Sequence, residues 1–126
     1  MDKLVRIKID RDIAADNVIY ADNQQLRRKG VLGREEIAEN EGVLMVMPCK
    51  TGLSLFRSIH MFGVPFDLAA AWLNRNRKII HLKIAKPGRM YFPPGFFTDT
   101  AYILELHPKH YERRKRSTRI DWEENV

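Results

Sequence analysis

The chain has 126 residues, of which 44% are hydrophobic and 30% are charged, the composition of an ordinary globular domain. The apolar fraction is too high for wholesale disorder, and no apolar run approaches the roughly 18 residues of a transmembrane helix. Cys49 is the single cysteine, which argues against a disulfide scaffold. The first residues carry charges between apolar residues rather than a signal sequence, so we expect a cytoplasmic location.

The charge balance is basic, with 22 lysines and arginines against 16 aspartates and glutamates and a formal net charge of +6. The surplus lies in the middle of the chain and in residues 109–119, because Asp67 is the only acid between Gly42 and Thr98. A basic surface favours encounter with nucleic acids or other polyanions. The alternative is a soluble domain that is basic without binding them.

The first third of the sequence predicts short strands and a short helix. Apolar residues alternate over residues 5–9, which is typical of a half-buried strand, and a second short strand is predicted at 18–21. Asp22 is predicted to cap a helix that Gly30 closes. The three consecutive cations at 27–29 are expected to face water.

The middle of the sequence predicts one brief helical turn and three strands. The turn is expected at 33–36, followed by a strand at 42–47 whose continuous apolar run indicates burial on both faces. Further strands are predicted at 53–59 and over 64–72. A hairpin loop is predicted at 74–77, where asparagine tolerates a positive φ.

The last third predicts strands separated by a long irregular loop. A strand over 78–86 precedes a loop at 87–95 that contains three prolines and two glycines. A strand is predicted at 100–107, then a short basic helix over 108–116 and a terminal strand over 119–123.

These elements predict an α+β, mainly β fold in a single domain over residues 1–126. We expect a small barrel-like or strongly curved antiparallel sheet with two or three short helices, because closure removes exposed sheet edges. The basic helix and end strand would occupy about residues 108–126. A two-layer sandwich is the alternative architecture.

Four blocks of the sequence form a recognisable pattern. They are GVLGR at 30–34, EGVLMVM at 41–47, SIHMFGVPFD at 58–67 and YILEL at 102–106. The pattern resembles the family catalogued as domain of unknown function 192 over roughly residues 17–107. The resemblance implies a compact, mostly β single domain, and it implies no established reaction, ligand or partner.

Three of these blocks supply a candidate polar pocket of Arg34, His60, Asp67 and Glu105. Asp67 and Glu105 are predicted on strand faces opposite apolar neighbours, and a buried carboxylate needs a partner. In the functional hypothesis Arg34 holds an anionic group and His60 exchanges protons near neutral pH. The alternative is a structural cluster of hydrogen bonds and ion pairs.

A second set of residues is predicted to bind polyanions. The set comprises Lys109, Arg113, Arg114 and Arg116 for phosphate contacts, with Tyr91 and Phe92 for stacking on bases. A solvated helix is the alternative for the cations. The alternative for the aromatic residues at 91–97 is that they fold under the barrel and close one end of it.

The sequence therefore favours a non-enzymatic binding module that takes nucleic acid or another polyanion. One alternative is a small-molecule binder or enzyme that uses the polar pocket, and another is a structural or interaction module with no active site. We predict no cofactor. We also predict no metal site, because His107 and His110 are separated by Pro108 and lack companion ligands.

Overall fold

The structure, a computed structural model, describes residues 2–113 and 118–125, which form strands, one α-helix and two 3-10 turns. The strands are β1 (Leu4–Ile9), β2 (Asp12–Ala21), β3 (Glu41–Val46), β4 (Gly52–Leu53), β5 (Ile59–His60), β6 (Leu68–Leu73), β7 (Ile79–Ala85), β8 (Met90–Tyr91), β9 (Phe97–Thr98), β10 (Tyr102–Leu106) and β11 (Ile120–Glu124). The helix is α1 (Gln24–Lys29), and the 3-10 turns are Ser54–Arg57 and Pro108–Arg113. None of these described helical segments has the length and apolar character that crossing a bilayer requires.

Seven strands form one curled sheet in the order β11-β1-β2-β3-β10-β6-β7. The edge strands β7 and β11 meet at one end, where Lys78 and Arg119 form an isolated bridge and the amide of Ile79 donates to the carbonyl of Thr118 over 2.9 Å. The resulting half-barrel confirms the predicted mainly β, barrel-like fold. It departs from a fully antiparallel sheet at one place, because β2 and β3 run parallel.

The parallel pair determines where α1 lies. Parallel neighbours need a crossover connection, and here the segment between β2 and β3 contains α1. Leu26 of α1 packs against the core on one face of the sheet. The crossover therefore places the helix over that face.

The central strands are buried on both faces, so the sheet separates two apolar cores. Every strand of the seven contributes to the core that includes Ile7, Leu44 and Leu104, which therefore lies inside the curl. The other core includes Trp72 and Ile103 and is covered by α1 and by loops. Alternation along β10 sends successive side chains to opposite cores.

The helix ends differ slightly from the prediction. Asn23 rather than Asp22 caps α1, because its Oδ1 accepts a hydrogen bond from the amide of Leu26 over 2.9 Å. Gly30 ends the helix as predicted, with φ +46°. The helical turn predicted at 33–36 is wrong, since the chain there forms a turn and loop.

The single strand predicted over 53–59 is also wrong. The segment consists of β4, the 3-10 turn Ser54–Arg57 and β5. The physical reason is Arg57, whose side chain points inward and hydrogen-bonds loop carbonyls that a continuous strand would not bring to it. Apolar patterning alone carries no information about such contacts.

Two further elements are shorter than predicted. The strand expected over 64–72 begins at Leu68, and Pro65, which has no amide hydrogen, lies in the preceding loop. The helix expected over 108–116 is the 3-10 turn Pro108–Arg113 in the described part. Its predicted last residues lie outside the described residues.

The hairpin predicted at 74–77 is confirmed, since β6 and β7 pair antiparallel on either side of it. The positive φ falls on Arg77, at 63°, rather than on an asparagine. Asn74 instead accepts hydrogen bonds through Oδ1 from the amides of Asn76 and Lys78, at 2.9 and 3.1 Å.

We expect Gly42→Ala to destabilise the sheet, because β10 leaves no room for a side chain at this position of β3. A Cβ at Gly42 would press against the carbonyl oxygen of Glu105 and would lie 2.6 Å from Cδ2 of Leu106. Overpacking of this kind costs about 1–3 kcal/mol or more, measurable as a lower free energy of unfolding in urea. An unchanged unfolding midpoint would show that the two strands part without cost.

Candidate functional site

A cavity of about 800 Å³ lies between α1 and the sheet, and we call it the α1 cavity. Its apolar lining includes Val31, Leu32, Met45, Met47, Ile59 and Ile103. Its basic and acidic lining consists of Arg27, Arg28, Lys29, Arg57, His60 and Glu105. A mostly apolar concave surface with a few polar groups is the usual form of a small-molecule site.

In the described part of the chain, Glu105 is the one acid that lines the α1 cavity, and it is almost completely buried. It lies on β10 between β3 and β6, opposite Val43 and Ala70, and is 3% exposed. Burial raises the pKa of this carboxyl to about 7. Its Oε1 has no hydrogen-bond partner among the described residues. A buried acceptor of this kind is costly unless something donates to it.

Gly30 brings the end of α1 close to this carboxyl. A Cβ built at Gly30 would lie 3.4 Å from Oε1 of Glu105 and 3.4 Å from Cε of Met45. Arg27 fastens the same helix to β3 by donating from Nη1 to the carbonyl of Val46 over 2.9 Å. The helix end, β3 and β10 thus form adjacent walls of the α1 cavity.

The cations of α1 lie at the rim of this cavity rather than on a remote solvent face. Arg28 and Lys29 are exposed as predicted, whereas Arg27 is half-buried by its contact with β3. All three line the cavity. Positive charge at the rim of a concave site raises the local concentration of anions.

Arg57 is a buried cation that ties the neighbouring loops together. Its Nε donates to the carbonyl of Thr100 over 3.0 Å, and its Nη2 donates to the carbonyls of Cys49 and Thr51 over 3.0 and 3.1 Å. Burial lowers its pKa from the ordinary value. Because no carboxylate among the described residues forms an ion pair with Arg57, its charge adds to the positive field of the cavity.

Two members of the predicted polar pocket share this cavity. His60 lies at its exposed side on β5, with its ring stacked on Phe62 at 5.2 Å between centroids. Glu105 lies at its buried side. A role of these two residues in ligand binding or proton exchange stays a prediction.

The other two members of the predicted pocket make ion pairs elsewhere. Nη1 of Arg34 lies 3.3 Å from Oε2 of Glu41, and Nζ of Lys86 lies 2.7 Å from Oδ2 of Asp67. Neither Arg34 nor Asp67 lines the α1 cavity. Their roles in a shared functional pocket stay predictions.

The predicted phosphate-binding cations are described only in part. Lys109 is exposed but forms an ion pair with Glu39 at 2.9 Å. Arg114 and Arg116 lie outside the described residues, as does the side chain of Arg113. Phosphate binding by this set stays a prediction.

The aromatic residues at 91–97 are mostly exposed. Tyr91 is half-buried and accepts a hydrogen bond through its hydroxyl from the amide of Lys86, while Phe92 is 41% exposed. Phe96 and Phe97 are 75% and 70% exposed, so the expectation that these rings close the barrel is wrong for both. They lie on β9 and the loop before it, outside the curl of the main sheet.

An exposed apolar patch borders the α1 cavity. Leu53 of β4 pairs with Phe97 of β9, and the adjoining 3-10 turn presents Leu55 and Phe56 to solvent. Phe56 also lines the cavity. The cavity mouth is therefore apolar on this side and basic on the side of α1.

Sequence patterning did not identify Arg27, Arg28, Lys29 or Arg57 as residues of a site. The only local signal was the run of three cations immediately before a helix-ending glycine. Their position on the same cavity as Glu105 depends on where the crossover and the loops lie, which no local pattern specifies. Within the described ranges, no three histidine, cysteine or acidic side chains are grouped so that they could hold a metal ion.

The curled mixed sheet and the cavity beneath its crossover helix define a small β-rich domain with a candidate ligand site on one face. The chain belongs to the family named domain of unknown function 192, described as uncharacterized ACR, whose model matches residues 5–118. The resemblance drawn from the four sequence blocks is thereby confirmed, and the match extends beyond residues 17–107 at both ends.

Curated relatives that the chain matches carry the name UPF0127 protein. The chain is 31% identical over 86 residues to a UPF0127 protein of Thermococcus sibiricus, covering 67% of this chain and 53% of the relative. It is 35% identical over 66 residues to a UPF0127 protein of Thermococcus kodakarensis, covering 52% of this chain and 39% of the relative. The chain thus spans about half the length, or less, of these relatives.

Solved structures show the same fold at low sequence identity. A protein of unknown function from Novosphingobium aromaticivorans superimposes with a TM-score of 0.73 at 16% identity, covering 94% of this chain and 84% of the other. A protein of Sinorhizobium meliloti described as "a putative transcription regulator" gives 0.75 at 17% identity, covering 97% and 94%. At these identities the likeness shows the fold alone.

We expect the stability of the wild type relative to Glu105→Gln to fall as pH rises. The pKa of Glu105 rises from 4.5 to about 7 on folding, so the folded state holds the proton more tightly than the unfolded state does. The free energy of unfolding therefore falls as the pH rises from about 4.5 to about 7. With about 1.4 kcal/mol for each pKa unit, full ionisation costs about 3 kcal/mol above pH 7. Urea denaturation over a pH series measures the difference.

Glu36→Gln is the matched control, because Glu36 is an exposed acid in the loop before β3. Its stability difference from the wild type should stay nearly constant with pH. If the difference in free energy of unfolding between the wild type and Glu105→Gln were equally constant with pH, the burial of the Glu105 carboxyl would be contradicted.

Proposed function

We propose that this protein binds a small organic anion in the α1 cavity. The single observation that carries the proposal is that buried Glu105, whose Oε1 has no hydrogen-bond partner among the described residues, lines a cavity large enough for a small molecule. A buried polar atom without a partner needs an explanation, and a ligand in the adjoining cavity that donates a hydrogen bond to it would supply one.

The charges of the lining support an anionic ligand. Among the residues that the structure describes, five basic side chains line the α1 cavity and Glu105 is the only acid that does so. Because the pKa of that acid is about 7, part of its population is uncharged at neutral pH. The field at the rim is therefore positive, and charge-assisted hydrogen bonds from Arg28 and Lys29 would hold a carboxylate or phosphate.

The apolar lining supports an organic ligand rather than an inorganic ion. Met45 and Met47 lie on the β3 side of the cavity, and methionine side chains adapt to ligands of irregular shape. Val31 and Ile103 add rigid apolar surface. A ligand with a hydrocarbon body would gain free energy by removing these side chains from water.

We expect small monocarboxylates to raise the melting temperature of the wild type, because a ligand that binds only the folded state stabilises it by mass action. Arg28→Glu with Lys29→Glu should weaken binding by roughly tenfold or more, since it replaces attraction at the rim with repulsion. Differential scanning fluorimetry with a panel of aliphatic and aromatic monocarboxylates measures the shift.

The matched control is Arg75→Glu with Lys83→Glu, which changes the net charge equally at two exposed cations that do not line the cavity. If both double variants weakened ligand binding equally, the loss would follow from the change in net charge, and a binding site at the rim would be contradicted. A panel without any stabilising member at millimolar concentration would contradict the proposal as a whole.

Polyanion binding is the second candidate, favoured by the net charge of +6 and by a middle segment with a single acid. It would use Lys109 and the basic residues that follow it, with Phe92 as an exposed ring. An enzymatic use of His60 and Glu105, a purely structural role and a cytoplasmic location likewise stay predictions.

If polyanion binding operates, affinity for short RNA or DNA oligonucleotides should fall steeply with added salt, because phosphate contacts release counterions. Fluorescence anisotropy at several salt concentrations measures the slope. Absent or salt-independent binding would contradict this candidate while leaving the α1 cavity unaffected.

A further inference from the structure

The polar groups of the α1 cavity lie at two different depths. Glu105 is 3% exposed at the buried end, whereas Arg28 and Lys29 are exposed at the rim. Buried or half-buried apolar side chains, among them Met45 and Ile103, also line the cavity. A ligand that fills the cavity therefore meets cations at one end and an acceptor at the other.

The chemistry at the buried end calls for a hydrogen-bond donor. Oε1 of Glu105 is buried and lacks a partner among the described residues, and a ligand that fills this end of the cavity without donating to it would leave it unsatisfied. A hydroxyl or amino hydrogen satisfies this oxygen in both protonation states of the carboxyl, because the oxygen accepts either as a carboxylate or as a carbonyl. A second carboxylate at this end would meet repulsion from ionised Glu105.

From these two ends we infer that the ligand is a small organic acid with a hydroxyl or amino group at the end opposite its carboxylate. The inference rests on the proposed function of the α1 cavity. The carboxylate lies at Arg28 and Lys29, the donor reaches Glu105, and an apolar body contacts Met45 and Ile103. Glu105 is thus the residue that discriminates between ligands of equal size and charge.

The test compares two probes that differ by one hydroxyl group, phenylpropanoate and its para-hydroxy derivative. Dissociation constants are measured by protein-observed NMR titration, with the methyl resonances of Met45 and Val31 reporting the site. We expect the wild type to bind the hydroxylated probe roughly tenfold more tightly, since a site with a buried acceptor disfavours the analogue that lacks the donor.

Two variants separate hydrogen bonding from folding. Glu105→Gln keeps an acceptor oxygen and should keep the preference for the hydroxylated probe. Glu105→Met keeps the approximate volume, removes the acceptor and should bind both probes equally. Because both replacements remove a buried carboxyl that is costly to ionise, both variants are expected to fold, which the dispersion of their NMR spectra checks.

The outcomes separate this inference about Glu105 from the proposal that the α1 cavity binds an organic anion. Equal binding of both probes by the wild type would overturn the role of Glu105 and leave anion binding in the α1 cavity intact. Binding of neither probe at millimolar concentration would overturn both. A preference that persists in Glu105→Met would show that another group accepts the hydroxyl and would also overturn the inference.

Discussion

The burial of both faces of the central strands is the constraint on which the rest of the structure depends. β3, β10 and β6 lie side by side with an apolar core on each face, so a polar side chain on them has no direct route to water. Glu105 occupies such a position. Its carboxyl faces the core beneath the crossover, where packing is interrupted by the α1 cavity, and its raised pKa is the electrostatic consequence of that position.

The crossover between β2 and β3 completes the site around that carboxyl. A parallel pair needs a connection over one face of the sheet, and the connection carries a short helix with three consecutive cations before Gly30. Gly30 lets the chain turn with a positive φ and approach Glu105 closely. The crossover therefore covers Glu105 and also places the cations of α1 at the rim of the cavity.

Arg57 organises the opposite side of the cavity by a different physical means. Its guanidinium donates hydrogen bonds to carbonyl oxygens of separate loops. The indole of Trp72 in turn donates to the backbone carbonyl of Arg57 over 2.7 Å. Because Arg57 binds peptide carbonyls rather than a carboxylate, the loops are held together while its positive charge is retained. The adjoining turn then presents Phe56 outward at the cavity mouth.

The sequence by itself determined the elements whose signal is local. Alternation predicted β1, β7 and β10, the apolar run predicted β3, and Gly30 predicted the end of α1. Alternation also singled out Glu105 as a carboxyl among apolar neighbours. Only the tertiary structure decided that β2 and β3 run parallel, that the cations of α1 line the same cavity as this acid, and that Arg57 breaks a strand. These features depend on contacts between residues far apart in the chain, which hydrophobic periodicity does not encode.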